Sequence, residues 1–286
     1  MSTTLRCEVC PHACSLIEGA TGRCRARKHI SADGSDRIVP VNYGIVTSLA
    51  LDPIEKKPLN RFYPGSSILS VGSFGCNLSC PFCQNHEIST SDGSRFMSDD
   101  NRLEPEELVD IAVKTRPKGN IGIAFTYNEP LIGYEYVLDT CVLAKEEGLK
   151  TVLVTAGCIN PSVADKVLPC IDALNIDLKS FDGDTYKNTL GGDLDTVKAF
   201  IERALQTSHV ELTTLVVPGM NDSYEEMDKI CDYILSLEGG KDIPLHISRF
   251  FPGHRMTDKR PTDVSLILEL SRRAGEKLSY VFPGNI

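Results

Sequence analysis

A chain of 286 residues, 41% hydrophobic and 24% charged, has the make-up of an ordinary globular protein with room for one large α/β domain and an appendage. Its formal charge of −9 argues against broad nucleic-acid binding, which takes a basic surface to displace counterions. No stretch approaches the roughly 18 apolar residues of a membrane span, and the opening residues lack the basic-then-apolar pattern of a secretory signal. Neither nucleic acid nor membrane is an expected partner, and the cytoplasm is the expected location.

The first group of cysteines is Cys7, Cys10, Cys14 and Cys24, spaced C-x2-C-x3-C-x9-C with His12 inside. In a reducing compartment such thiols are more often metal ligands than disulfides. Four soft donors at short spacing suit a structural zinc or a second, fully ligated iron–sulfur cluster. Residues 1–60 are rich in Cys, Gly and basic side chains and show little helical periodicity. They read as an irregular, metal-tied extension ahead of a main domain at 61–286. Lys56, Lys57 and Arg61 are ordinarily a solvated face. With Arg249 and Arg255 they are also candidates for an anionic-substrate pocket.

Beyond residue 66 the pattern becomes regular. Apolar runs rich in β-branched residues predict strands over 68–74, 121–126, 151–155, 173–178, 210–217 and 243–247. Helical stripes lie between them. Pro105 suits a first helical turn, Val197, Phe200, Ile201 and Ala204 share a face, and Ser223 with Glu226 forms a capping box. Alternating strands and helices imply parallel strands joined by right-handed crossovers. Periodicity alone does not separate a doubly wound sheet from an incomplete barrel.

After the first of these strands comes Gly75-Cys76-Asn77-Leu78-Ser79-Cys80-Pro81-Phe82-Cys83-Gln84-Asn85. A [4Fe–4S] cluster takes four thiolates. Three closely spaced thiolates leave one iron open to a further ligand, and three thiols among Gly, Asn and Pro fit poorly as core residues. Polar landmarks recur at the ends of the predicted strands: Asn128 and Glu129, Thr155, Asp177 and Lys179, and finally His246 and Arg249. Barrel enzymes build their sites there. Asp177 with Lys179 also reads as a plain ion pair, and His246 as a satisfied core histidine. Cys141 and Cys231 sit on apolar helical stripes and read as packing.

The triad, with an aromatic residue just before its last cysteine, resembles the signature of the radical S-adenosylmethionine (SAM) superfamily. Asp52-Pro53-Ile54-Glu55-Lys56-Lys57-Pro58-Leu59, Tyr127-Asn128-Glu129-Pro130, Asn175-Ile176-Asp177-Leu178-Lys179 and Val217-Pro218-Gly219-Met220-Asn221-Asp222 are similar to the radical SAM member of the AmmeMemoRadiSam system, close to pyruvate formate-lyase activating enzymes. The resemblance implies an α/β fold, a partial (β/α)6 TIM barrel with the N-terminal Cys-rich extension. It implies a [4Fe–4S] cluster on Cys76, Cys80 and Cys83, and SAM contacts from Phe82, Asn128, Glu129, Thr155, Asp177, Lys179 and His246. Tyr127 and Asn128 stand where relatives have two glycines before Glu-Pro.

The implied activity is reductive cleavage of SAM to a 5′-deoxyadenosyl radical acting on an unidentified substrate. The implied partners are an electron donor such as flavodoxin or ferredoxin, and Memo-like and AMMECR-like proteins. Two alternatives stand beside this activity. The first is an activase for a glycyl-radical enzyme. The second is a non-catalytic iron–sulfur electron carrier or zinc-stapled binding module.

Overall fold

The computed structural model describes residues 3–286. Two short antiparallel hairpins open it: β1 (Thr4–Arg6) with β2 (Ser15–Ile17), and β3 (Arg27–Ala32) with β4 (Ser35–Pro40). The extension is therefore less irregular than its composition suggests. Next, β5 (Ser48–Pro53) pairs antiparallel with β6 (Ser67–Gly72), so the main sheet already begins before residue 60. Ala50 pairs with Ser70 and the half-buried Asp52 with Ile68, a strand that a scan for long apolar runs passes over.

The β/α alternation then runs as the apolar pattern requires. A short α1 (His86–Ser89) follows the cysteine loop. After it come α2 (Pro105–Lys114), β7 (Asn120–Phe125), α3 (Tyr134–Glu146), β8 (Lys150–Thr155), α4 (Pro161–Val167), β9 (Ala173–Asp177), α5 (Leu194–Ala204), β10 (His209–Val216), α6 (Tyr224–Ser236), β11 (Leu245–Arg249), α7 (Val264–Gly275) and β12 (Val281–Gly284). One eight-stranded sheet carries them in the order β12-β11-β10-β9-β8-β7-β6-β5. From β6 to β12 every pairing is parallel. Strictly sequential neighbours are the order of a barrel wall, whereas a doubly wound sheet reverses direction at a switch point. Among the described residues no helix is long and apolar enough to cross a membrane.

Helix starts follow local chemistry. Pro105 opens α2 behind a capping box made by Glu104 and Glu107, and the Ser223 hydroxyl accepts the Glu226 amide at 3.1 Å at the head of α6. The Glu226 carboxylate does not return the bond. It is buried and accepts from Ser180 Oγ at 2.6 Å and the Phe181 amide at 2.5 Å, tying α6 to the loop after β9.

Small and apolar side chains fill the lower barrel: Ile68, Ala124, Val152 and Ala173 pack with Ile54 and Leu59. The segment 58–61 closes that end. Asn175 Nδ2 donates to the Pro58 carbonyl at 2.8 Å, and the amides of Asn60 and Arg61 donate to the Glu211 carboxylate at 3.0 and 2.7 Å. The C-terminal ends of the strands, at the other end of the barrel, face an open cavity.

Candidate functional site

The cysteine loop follows β6, and its shape is set by hydrogen bonds from neighbouring strands. Asn77 Nδ2 donates to the Cys158 carbonyl at 2.7 Å, and the Ser79 amide donates to the Leu190 carbonyl at 2.8 Å. Asn128 Nδ2 reaches the carbonyls of Phe74 and Gly75 at 3.2 and 3.1 Å. Gly75 has φ +86, and a Cβ there would come within 2.5 Å of the Cys24 carbonyl, so no other residue fits without moving backbone.

Cys76, Cys80 and Cys83 line a cavity of about 270 Å³ at the barrel mouth, together with Phe82, Asn128, Glu129, Thr155, Asp177 and Lys179. The donor set fits a cluster. Sulfur is the ligand iron–sulfur centres use, and the Leu78 amide points at Cys76 Sγ at 3.4 Å. Burial, then the Glu129 charge, pushes the Cys76 thiol well up. Burial carries Cys80 to about 11 although Lys179 pulls it down. Metal ligation removes such protons outright. Among the described residues no three His, Cys, Asp or Glu side chains converge as one bound ion requires. A cube, by contrast, takes each thiolate on a different iron.

Glu129 lines the same cavity and is 2% exposed. Its carboxylate accepts from Thr155 Oγ1 at 2.7 Å, the Ala156 amide at 2.9 Å and the Leu131 amide at 3.2 Å. Burial raises its pKa although these donors oppose the rise. A fixed, buried carboxylate of this kind is an acceptor for an ammonium group. Lys179 Nζ meets Asp177 Oδ2 at 2.7 Å. Burial lowers the lysine's pKa, but Asp177 and Cys80 outweigh it and the net shift is upward. The pair therefore sets a cation beside the Cys80 sulfur.

His246 is not part of this group. It is the second residue of β11, since the strand runs two residues past the predicted end, and Nε2 meets Glu211 Oε2 at 2.6 Å below the cavity. Its ring stacks on Phe282 at 5.1 Å. Here the core-histidine alternative describes the geometry.

The five basic residues do not form one pocket either. Lys57 is 3% exposed and bonded to Asp52 at 3.0 Å, and Lys56 reaches the same carboxylate from the surface. Arg61 lies over the Tyr280 ring at the plugged end. Arg249 Nε donates to the Thr262 carbonyl at 2.6 Å, and the Arg255 amide donates to Pro81. None of the five lines the cavity. Charge counting cannot tell the two ends of a barrel apart, and that is why they looked alike.

Thr213, Leu215, Ser248 and Asn285 line the cavity without having been singled out, and so does Tyr127, which was marked only as standing in a glycine's place. Tyr127 holds φ 74, the left-handed region that glycine enters freely, at one of the two positions where glycines were expected. Its ring lies against Gly72, where a Cβ would meet Tyr127 Cδ2 at 2.7 Å. A glycine replaced by a tyrosine was the signal available.

Comparison with known proteins agrees with this arrangement. An uncharacterized protein of Methanocaldococcus jannaschii is 38% identical over 99% of this chain and 81% of its own length. The pyruvate formate-lyase-activating enzyme of Clostridium pasteurianum is 27% identical over 63% of this chain and 75% of its own. In structure, Streptococcus suis SuiB bound to SAM aligns with a TM-score of 0.57 at 14% identity, over 74% of this chain and 48% of that one, a likeness of fold. The family model described as Radical SAM superfamily matches residues 70–234. That span is more than half of the chain and contains the thiols, Glu129 and the Asp177–Lys179 pair, so the chain belongs to the radical SAM superfamily, whose members use a [4Fe–4S] cluster and SAM.

Proposed function

We propose that the protein reductively cleaves SAM and directs the resulting 5′-deoxyadenosyl radical at a substrate seated in the barrel mouth. The observation that carries this is the shared cavity: three thiols and a buried carboxylate line the same space. A cluster bound there would supply the electron and SAM the hydrogen-abstracting group. The chain's own part is positioning. Cys76, Cys80 and Cys83 would hold the cluster, Phe82 would offer an apolar face to the adenine, and Glu129, held by Thr155, would accept from the methionine amino group. Asp177 and Lys179 would line the rest of the SAM site, and the segment 58–61 closes the far end of the barrel.

The test is anaerobic reconstitution with iron and sulfide, then dithionite and SAM, with 5′-deoxyadenosine measured by chromatography. Turnover in the wild-type chain and none in Cys83→Ala is the expected result. A four-iron cluster that makes no 5′-deoxyadenosine, under conditions where a control enzyme does, overturns the proposal in favour of an electron carrier.

A second reading is an activase that places a radical on a glycyl-radical enzyme. The 27% likeness to the activating enzyme of Clostridium pasteurianum supports it. A glycyl doublet in the electron paramagnetic resonance spectrum, on mixing with such an enzyme, separates it from small-molecule chemistry. Flavodoxin or ferredoxin as electron donor belongs to both readings. Memo-like and AMMECR-like partners follow from the AmmeMemoRadiSam motifs, and co-purification of the three proteins tests them.

A further inference from the structure

The four N-terminal cysteines take no part in the function proposed above. Cys7 and Cys14 close the loop between β1 and β2, with the Cys7 amide donating to the Cys14 carbonyl at 2.9 Å. Cys24 sits in a second turn, where the Gly22 amide reaches the Arg27 carbonyl at 2.7 Å and the Arg25 amide returns to Gly22 at 2.8 Å. The two turns face each other, and Cys7, Cys10, Cys14 and Cys24 line one recess with His12.

Two features of this recess go beyond packing. Ala13 and Arg25, next to Cys14 and Cys24, hold φ 44 and 66, a conformation that costs a residue with a Cβ roughly 1–2 kcal/mol. Asn77 Oδ1, beside Cys10 on a fully buried side chain, has no hydrogen-bond partner. The sulfurs do not converge on a single point, but that is equally true of Cys76, Cys80 and Cys83.

We propose that Cys7, Cys10, Cys14 and Cys24 bind a thiophilic metal as a second centre, and that this centre braces the loop of the first. The route is short. His12 Nε2 meets the Asn77 carbonyl at 2.8 Å, Arg23 donates to Ser79 Oγ at 3.0 Å, and the Cys24 carbonyl lies against Gly75, the residue before Cys76. Both an iron–sulfur cluster and zinc take thiolates, but a cluster meets each on a different iron whereas one zinc needs the four sulfurs drawn together; metal analysis tells them apart.

The experiment uses the full chain carrying Cys76→Ala, Cys80→Ala and Cys83→Ala, so that the outcome does not depend on SAM cleavage. It is expected to retain about one zinc, or about four irons with matching sulfide, after anaerobic purification and reconstitution. Adding Cys10→Ser and Cys24→Ser should remove that metal. A triple variant carrying neither metal overturns the proposal, and so does metal that survives the added changes. Should the added changes prevent folding, alkylation of the wild-type chain gives the same answer. Chelation should expose the four N-terminal thiols together, while Cys141 and Cys231, at 0% and 1% exposure, stay protected. Equal reactivity of the four before and after chelation counts against the site.

Discussion

Tyr127 Oη donates to Asp52 Oδ2 at 3.0 Å, so the residue that floors the cavity is anchored to a carboxylate on the sheet's first strand. Lys57 completes the group, bonded to Asp52 at 3.0 Å and lying over the Tyr127 ring at 4.7 Å. Burial pushes the tyrosine up to about 12, and the Asp52 charge adds to it. Burial also acts to raise Asp52, but its bonds to Lys57, Lys56 and Tyr127 bring it down to about 2. The floor is a closed polar unit that carries Tyr127 at a strained φ.

Adjacent lysines should therefore respond differently to the same change. Lys57→Met takes the buried cation from a carboxylate whose side chain is 13% exposed, leaving it Tyr127 and the solvated Lys56, and breaking a buried pair from one side costs about 3–5 kcal/mol. Lys56, with its side chain 66% exposed, makes a surface pair worth about 0–1 kcal/mol. Urea unfolding of Lys57→Met and Lys56→Met compares them directly. Equal midpoints would show that the floor is not a unit. Tyr127→Phe is expected between the two, near the 1 kcal/mol of a single neutral hydrogen bond.

This floor also shows where sequence reasoning stops. Six of the sheet's strands and the triad loop were legible because apolar periodicity and cysteine spacing are local signals, whereas their barrel order came from the family resemblance and β5 and β12 were passed over. The placement of Lys57 and Arg61 was not, because 58–61 passes beneath the barrel on bonds to Asn175 and Glu211, more than a hundred residues away. His246 was misplaced for a related reason. A shift of the strand to Leu245–Arg249 leaves it at the buried end of β11, beside a glutamate that no motif marks. Glu129 was found because its Asn-Glu-Pro context is short and contiguous.

Glu129→Gln should weaken SAM binding and remove its dependence on acid. The carboxylate is needed in its charged form to meet an ammonium group, and its pKa is raised by burial. As pH falls through that raised value the wild-type acid takes up a proton and affinity drops. The glutamine variant has no charge to lose, so its affinity stays flat over the same range. A charged hydrogen bond contributes about 1.5–3 kcal/mol, so the variant should bind SAM roughly 10- to 100-fold more weakly at neutral pH. Calorimetric titration of the cluster-loaded protein across pH measures both effects. Parallel pH profiles would remove Glu129 from the role assigned to it.

Lys179→Met should make the cluster harder to reduce. Its ammonium acts on the Cys80 sulfur, opposing the rise that burial causes in that thiol's pKa, and a nearby cation favours the more negatively charged reduced cluster. Removing it also leaves Asp177, with its side chain 32% exposed, without its partner. Both changes move the midpoint potential in the negative direction. A redox titration followed by electron paramagnetic resonance reads the shift, and an unchanged or more positive potential would show that Lys179 does not couple to the cluster.

Glu211 governs acid stability. Its side chain has no exposure and accepts from His209 at 3.0 Å, His246 at 2.6 Å and the two plug amides. Burial pushes its pKa up, yet these partners outweigh burial and bring it down to about 2. A carboxyl that is more acidic folded than unfolded stabilises the fold at pH above its unfolded value near 4.3. That stabilisation, about 3 kcal/mol by proton linkage, is lost progressively as pH falls from there through about 2. Glu211→Gln should therefore unfold more easily than the wild type at pH 7, with the gap narrowing as pH drops toward 2. Thermal melts from pH 7 to pH 2.5 follow that gap. A difference that stays constant across the range would mean that packing of 58–61, and not the charge on Glu211, holds the barrel floor shut.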